Sequence, residues 1–254
     1  MKILLSPSKT KKLQGKPMAP VFDKVMTDAI VGHMKTLTAE VIVKALKVKP
    51  DMAAELVAFY QNHDDAPVGA AAFSYSGLAF KNLAWSELSE KAQAFGNDHV
   101  CILSGLYGIV TPESPITDYR LDLVDRIFAK NIINKSVIDG LLQDVKTLYD
   151  CWTEKVTAYF QAEDWLLNLA SKEYAKLVSH PRMVTVEFLE LKEGVWKQLS
   201  TSSKQMRGRL AHYMIAHELT EWTDLPAELD GFVKDTDLPA TLTEPLTVAY
   251  RRSE

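Results

Sequence analysis

The residues best suited to chemistry lie in widely separated stretches of the chain. Ser6-Pro7-Ser8-Lys9-Thr10 sets a lysine among hydroxyls on a proline-stiffened backbone, which is how an anion contact is built. Residues 103–123, LSGLYGIVTPESPITDYRLDL, supply Ser104, Tyr107, Tyr119 and Arg120 from a polar loop that follows an apolar run. Asn168 and Ser171 close a second such run, Tyr75 a third, and Lys204, Arg207 and Arg209 share the segment KQMRGR. The cations suit phosphate or another anion. The tyrosines suit either core packing or stacking on an unpaired base.

Other chemistries find little support. Ser6-x-x-Lys9 has the form of a serine acyl-enzyme motif, but Pro7 follows the serine and neither KTG nor SDN occurs. The six histidines show no metal-binding spacing, so no metal site is expected. Neither GxGxxG nor GxxxxGK[ST] is present, so no cofactor is expected, and no residue earns a catalytic assignment.

The elements that must hold these groups can be read from apolar patterning. Lys2–Ser6, residues 99–104 and Trp165–Ala170 are short apolar runs that read as buried strands. Functional side chains are then expected on the loops leaving their ends. Ala70–Tyr75 reads as a small-residue strand broken by Gly77, and Gly96-Asn97-Asp98 as a turn after an amphipathic segment, Ser86–Phe95. Residues 21–63 read as helices in pieces, with Asp51 as a cap over Met52–Asn62. Residues 127–161 also read as helical. Met183–Leu191 alternates and turns at Gly194 into a partner near Val195–Thr201. Ser202 or Ser203 should cap a helix to about Leu219, and Gly208 inside it suggests a close backbone approach. Pro245–Arg252 reads as a last strand. Helices and strands intermix without a linker or repeat. The expected fold is therefore α/β mixed (α+β): one domain, residues 1–254, with a mixed central sheet flanked by helices.

Bulk composition narrows the partners. Lys and Arg number 29 against 33 Asp and Glu, so the net charge is −4 and any nucleic-acid contact must come from a local basic surface. Two such clusters exist: Lys9, Lys11, Lys12 and Lys16, and Lys197, Lys204, Arg207 and Arg209. Each alone reads as a solvated face; brought together they would form a positive cleft. Residues 41–60, VIVKALKVKPDMAAELVAFY, outline a helix, tight turn and second helix that could present backbone N–H groups to phosphate. No apolar stretch is long enough to span a bilayer, the N-terminus is too short for a signal segment, and Cys101 and Cys151 read as structural thiols. A cytoplasmic protein without a membrane partner is expected.

The order of motifs resembles the bacterial YaaA peroxide-stress family. The matching pieces run collinearly: ILLSPSKT (3–10), AFSYSGLAF (72–80), LSGLYGIVTP with YRLDL (103–123), LLNLASKEYAKLV (166–178), KQMRGRLAHYMI (204–215) and a strand ending Tyr250-Arg251-Arg252. The resemblance implies a YaaA-type mixed α/β fold with a positive cleft and a helix-hairpin-helix element. It also implies binding of double-stranded or irregular DNA with little sequence preference, and a role in limiting iron-dependent oxidative damage. The sequence departs from the family pattern at Ser8, at Val124 and in the hairpin at about 41–60, whose turn lacks glycine.

Two functions from different classes follow. In the first, Ser6, Lys9, Thr10, Tyr75, Ser104, Tyr107, Tyr119, Arg120, Asn168, Ser171, Lys204, Arg207 and Arg209 line a cleft for DNA. In the second, the same cleft takes a nucleotide, a nucleic-acid base or another anionic small molecule as an enzyme substrate. A third reading, iron handling, lacks the clustered ligands it would need.

Overall fold

The computed structural model describes residues 1–129 and 140–253. Its centre is β1 (Lys2–Leu5), a strand whose inner residues Ile3, Leu4 and Leu5 are all buried. A parallel strand buried on both faces needs such an unbroken apolar run. β3 (Val100–Ser104) pairs parallel on one side of β1 and β6 (Leu166–Asn168) on the other, both equally apolar. β7 (Met183–Lys192) and β11 (Leu246–Arg252) extend the parallel set. Antiparallel additions finish the edges: β4 (Gly108–Val110) on β3, β8 (Val195–Lys197) on β7, and β10 (Phe232–Lys234) with β9 (Glu228–Leu229) beyond β11. The result is the expected mixed sheet, of nine strands among the described residues. A separate small pair joins β2 (Gly69–Ala70) to β5 (Pro115–Ile116).

The helices between these strands start on local chemistry. Asp23 accepts the Met26 N–H to open α1 (Lys24–Lys35), and Thr38 caps α2 (Ala39–Leu46). Ser89 caps α6 (Glu90–His99), and Thr147 with Asp150 forms a capping box for α7 (Leu148–Phe160). α3 (Pro50–Gln61) begins differently from expectation: Lys49 is its cap and Pro50 its first residue, because proline fits the first helical position and lacks an N–H to satisfy. Asp51 therefore lies in the first turn rather than at the cap. α9 (Ser200–Ala216) likewise starts before Ser202, with Leu199 at the cap position.

Two sequence expectations fail outright. Of Ala70–Tyr75 only Ala70 belongs to a strand, β2; residues 71–74 coil into α4 (Ala71–Ser74), and Tyr75 makes only an isolated bridge. Short apolar runs do not separate strand from helix by pattern alone. Gly96-Asn97-Asp98 is not a turn but lies inside α6, where a Cβ on Gly96 would come 2.6 Å from the Trp85 ring. Tertiary packing overrides turn propensity there. Of the helix expected over 127–161, α7 supplies the C-terminal part, a single 3-10 turn covers Gly140–Leu142, and 130–139 lie outside the described residues. The predicted hairpin at Gly194 and the last strand are present.

Chain order makes the carboxyl ends of the central strands the place for a ligand. From β1 the chain crosses to β3 on one side, then returns to β6 on the other. Loops after β1 and its neighbours therefore diverge, and a crevice opens outside the strand ends at such a switch point. Among the described residues no helix is long and apolar enough to cross a membrane.

Candidate functional site

Three strand-end loops meet at this switch point and are tied to one another by side chains. Ser6, just after β1, accepts the Ser171 N–H through its hydroxyl at 2.8 Å and donates to the Ser171 hydroxyl at 3.2 Å. Asn168 ends β6, accepts the Ala170 N–H at 3.0 Å and donates to Thr185 of β7 at 3.1 Å. These polar groups are clasps: they fix loop backbones rather than face solvent. The β1 loop is held on its other side by segment 74–77. The Ser76 N–H donates to the Thr10 carbonyl and the Lys12 N–H to the Ser74 carbonyl. Ser8 approaches so closely that a Cβ on Gly77 would sit 2.4 Å from its hydroxyl oxygen.

The loop leaving β3 folds back over itself. Ser104 accepts the N–H groups of Leu106 and Tyr107 at 3.2 and 3.1 Å, closing the turn. Gly105 lets segment 121–123 pass directly above, since a Cβ there would lie 2.9 Å from the Leu121 carbonyl oxygen. Ser104, Tyr119 and Tyr75 form a chain of hydroxyls, 2.8 Å from Ser104 to Tyr119 and 2.9 Å from Tyr119 to Tyr75. Tyr107 pairs separately with Thr117 at 2.9 Å. All three tyrosines are buried, and burial pushes each phenol pKa upward, so they stay protonated. Their ring faces are covered by protein, which favours the packing reading over base stacking.

Above this chain lies a pit of about 10 Å³ lined by Lys9, Lys11, Tyr119, Arg120 and Asp122 among others. Asp122 is its hub. One carboxylate oxygen pairs with Lys9 at 2.8 Å and Arg120 at 3.4 Å, and the other accepts from the Tyr174 hydroxyl at 3.0 Å. Lys9 is 63% exposed, so its pair with Asp122 is easily exchanged. Lys11 is more enclosed: its Nζ donates to the Tyr119 carbonyl at 2.5 Å and sits 4.3 Å from that ring's centroid. Burial lowers the Lys11 pKa to about 8 against the opposing pull of Asp118 and Asp122. Asp125 accepts the Asp122 N–H at 2.7 Å, and burial, with the negative charge of Asp122, raises its pKa to about 7. Lys11, Asp122, Asp125 and Tyr174 were not singled out as site residues from the sequence. The signal available was weak: Asp122 stands two residues after Arg120 within YRLDL.

The Asp125 shift has a sign that can be measured. A carboxyl whose folded pKa exceeds its unfolded value binds more protons when folded between those two values. Its contribution to stability is complete below about pH 4 and is lost as pH rises toward 7. An Asp125→Asn protein should therefore gain stability relative to wild type as pH rises from 4 to 7. Urea midpoints of both proteins measured across that range check this; parallel pH profiles would contradict it.

The second basic cluster lies elsewhere. Lys204, Arg207 and Arg209 are on α9, which packs on β7 and on α5 (Leu78–Leu83). The expected close approach is at Gly208, where a Cβ would lie 2.0 Å from the Ala79 carbonyl oxygen. Arg209 pairs with Asp230 and donates to Asn82, Lys197 pairs with Glu193, Lys204 is exposed, and Arg207 is half-buried near Glu187. None of them lines the pit. Residues 41–60 fall in α2, a short turn and α3. Lys47 takes the left-handed conformation, φ 53°, that glycine usually occupies in such a turn.

Comparison with known proteins agrees with the order of motifs. A family profile described as peroxide stress protein YaaA matches residues 1–237. A UPF0246 protein of Finegoldia magna is 30% identical over 229 residues, 86% of each chain. A UPF0246 protein of Francisella tularensis subsp. mediasiatica is 29% identical over 245 residues, 89% of this chain and 91% of its own. One from Francisella philomiragia is 27% identical over the same length. With the strand-end loops that carry SPSKT, LSGLYG and NLAS meeting at one switch point, and a profile spanning nearly the whole length, this chain belongs to the peroxide stress protein YaaA family.

Proposed function

We propose that this peroxide stress protein binds the phosphate of a small anion of the nucleotide class on the rim of the pit at the ends of β1 and β3, because the pit itself has room for about one water. One observation carries the reading: Lys9, Lys11 and Arg120, from two distant segments, line a single pit at the sheet's switch point. Asp122 neutralises two of these cations, and an incoming phosphate would take its place on them. Lys9 and Arg120 each supply donors at the rim, and the buried hydroxyl chain below fixes the floor. Calorimetric titration with inorganic phosphate and nucleoside monophosphates tests this. Lys9→Ala should weaken binding about tenfold; an unchanged affinity would overturn the reading.

DNA is the second reading, favoured by a different place in the fold. Lys44, Lys47 and Lys49 are exposed around the α2–α3 turn and make no ion pair among the described residues. The N-terminus of α3 follows them, with its first N–H groups free for phosphate. DNA contact would then serve to place the protein where peroxide and iron do damage. A gel-shift salt series compares wild type with the Lys44→Ala/Lys47→Ala/Lys49→Ala triple variant. The slope of log affinity against log salt should fall by about 3, near 0.9 for each lost contact. An unchanged slope removes the hairpin from the interface.

A further inference from the structure

Lys11 is a half-buried amine to which the anion reading gives only a share of the positive charge. It belongs to a run of lysines, yet it alone of them turns inward, because Lys11 bridges Tyr75 in an isolated β-type pairing while Lys12 points out. It has no carboxylate within ion-pair distance among the described residues. Instead its Nζ rests on a backbone carbonyl and the face of Tyr119, beside the pit that Lys9 and Arg120 also line. Desolvated lysines held in this way are the ones that serve as neutral amines in proteins.

We infer that Lys11 is a nucleophilic amine that condenses with the carbonyl group of an anionic aldehyde or ketone held at the rim by Lys9 and Arg120. The inference rests on the anion-binding reading of the same pit. The amine lone pair forms the new C–N bond, and the carbonyl oxygen leaves as water with the two amine hydrogens. The product is an imine, and no oxidant or reductant is needed. The charged groups facing the amine are Asp118, Asp122 and Arg120. With the pKa at about 8, about a quarter of Lys11 is neutral at pH 7.5, against about one in a thousand of ordinary lysines.

Pyridoxal 5′-phosphate is a suitable probe, because it carries both an aldehyde and a phosphate. The full-length protein is incubated with it at pH 7.5, reduced with borohydride and mapped by peptide mass spectrometry. Lys11 should be modified at least tenfold faster than the exposed Lys12 and Lys16, with a pH midpoint near 8. Lys9→Ala should slow modification of Lys11 by the phosphate-bearing aldehyde severalfold more than it changes the reaction of Lys11 with propanal. Equal labelling of Lys11 and Lys12, or a Lys9→Ala protein that labels at the wild-type rate, overturns the inference. Phosphate titration keeps the two readings apart. If phosphate binds but Lys11 stays unlabelled, only the nucleophile falls; if phosphate does not bind, the anion pocket itself falls. Lys11→Arg, which keeps the charge and loses the nucleophile, should show no adduct at this position while Lys12 and Lys16 label at the wild-type rate.

Discussion

Trp152→Ala should cost this protein about 3–5 kcal/mol, the range for deleting a fully buried large aromatic side chain. Trp152 is 0% exposed on α7, beneath the loop that leaves β3. Its indole N–H donates to the Gly105 carbonyl at 2.9 Å. Its ring fills the space a side chain would occupy at Gly108, where a Cβ would come within 2.5 Å of the ring and where φ is +71°. Two consequences follow from one truncation. The cavity removes apolar contacts, and the Gly105 carbonyl is left without its partner, which adds about 1–3 kcal/mol if water does not replace it. Domains of this kind are stable by about 5–15 kcal/mol in all, so the loss is a large share of the total. Trp152→Phe keeps a ring in place but loses the pyrrole part of the indole and the hydrogen bond, so a smaller cost of about 1–3 kcal/mol should remain. Urea unfolding of the three proteins reads these differences directly. A cost below 1 kcal/mol for Trp152→Ala would mean that the LSGLYG turn does not depend on this prop.

That prop also shows where sequence reading reached its limit. The strands that carry the site were legible, because β1, β3 and β6 are buried on both faces and therefore read as unbroken apolar runs. The hairpin at Gly194 was legible for the opposite reason: β7 alternates, with one face under α9 and one toward solvent. Inside the loops neither pattern exists. Nothing in SPSKTKK says that Lys11 turns inward while Lys12 does not. That choice is made by backbone hydrogen bonds, from the Ser76 N–H to the Thr10 carbonyl and from the Lys12 N–H to the Ser74 carbonyl, with partners far away in sequence. The same holds for the tyrosines, whose burial depends on three loops closing together. It holds again for Lys204, Arg207 and Arg209, which share a basic segment but sit where the Gly208 notch seats α9 on α5. Charge and spacing identified the candidates; long-range contacts sorted them. Asp122 was passed over for a related reason. A carboxylate beside an arginine is ordinary in sequence, and only the convergence of Lys9, Arg120 and Tyr174 on its two oxygens makes it a hub.

Asp122→Asn should therefore tighten phosphate binding by about tenfold or more, even though it removes a residue from the heart of the site. In the free protein Asp122 occupies the two cations that an anion would need, so ligand binding is a competition between two negative groups. Removing one unit of charge at about 4 Å is worth about 1–4 kcal/mol across the dielectric range of a protein surface. About 1.4 kcal/mol already gives a tenfold change. The fold should tolerate the change. Asparagine keeps an oxygen to accept from the Tyr174 hydroxyl, and Lys9 is solvated without its partner. Arg120 is more enclosed, at 24% exposure, and bears most of the small stability loss. The effect should extend to Lys11, whose charged form Asp122 favours. Its pKa should drop further and its amine should become more reactive at neutral pH. Calorimetry with phosphate, beside labelling rates at pH 7.5, measures both shifts on one variant. If phosphate instead binds more weakly to Asp122→Asn, Asp122 is a ligand contact rather than a placeholder, and the pit recognises a hydroxyl or amine donor of its ligand through that carboxylate.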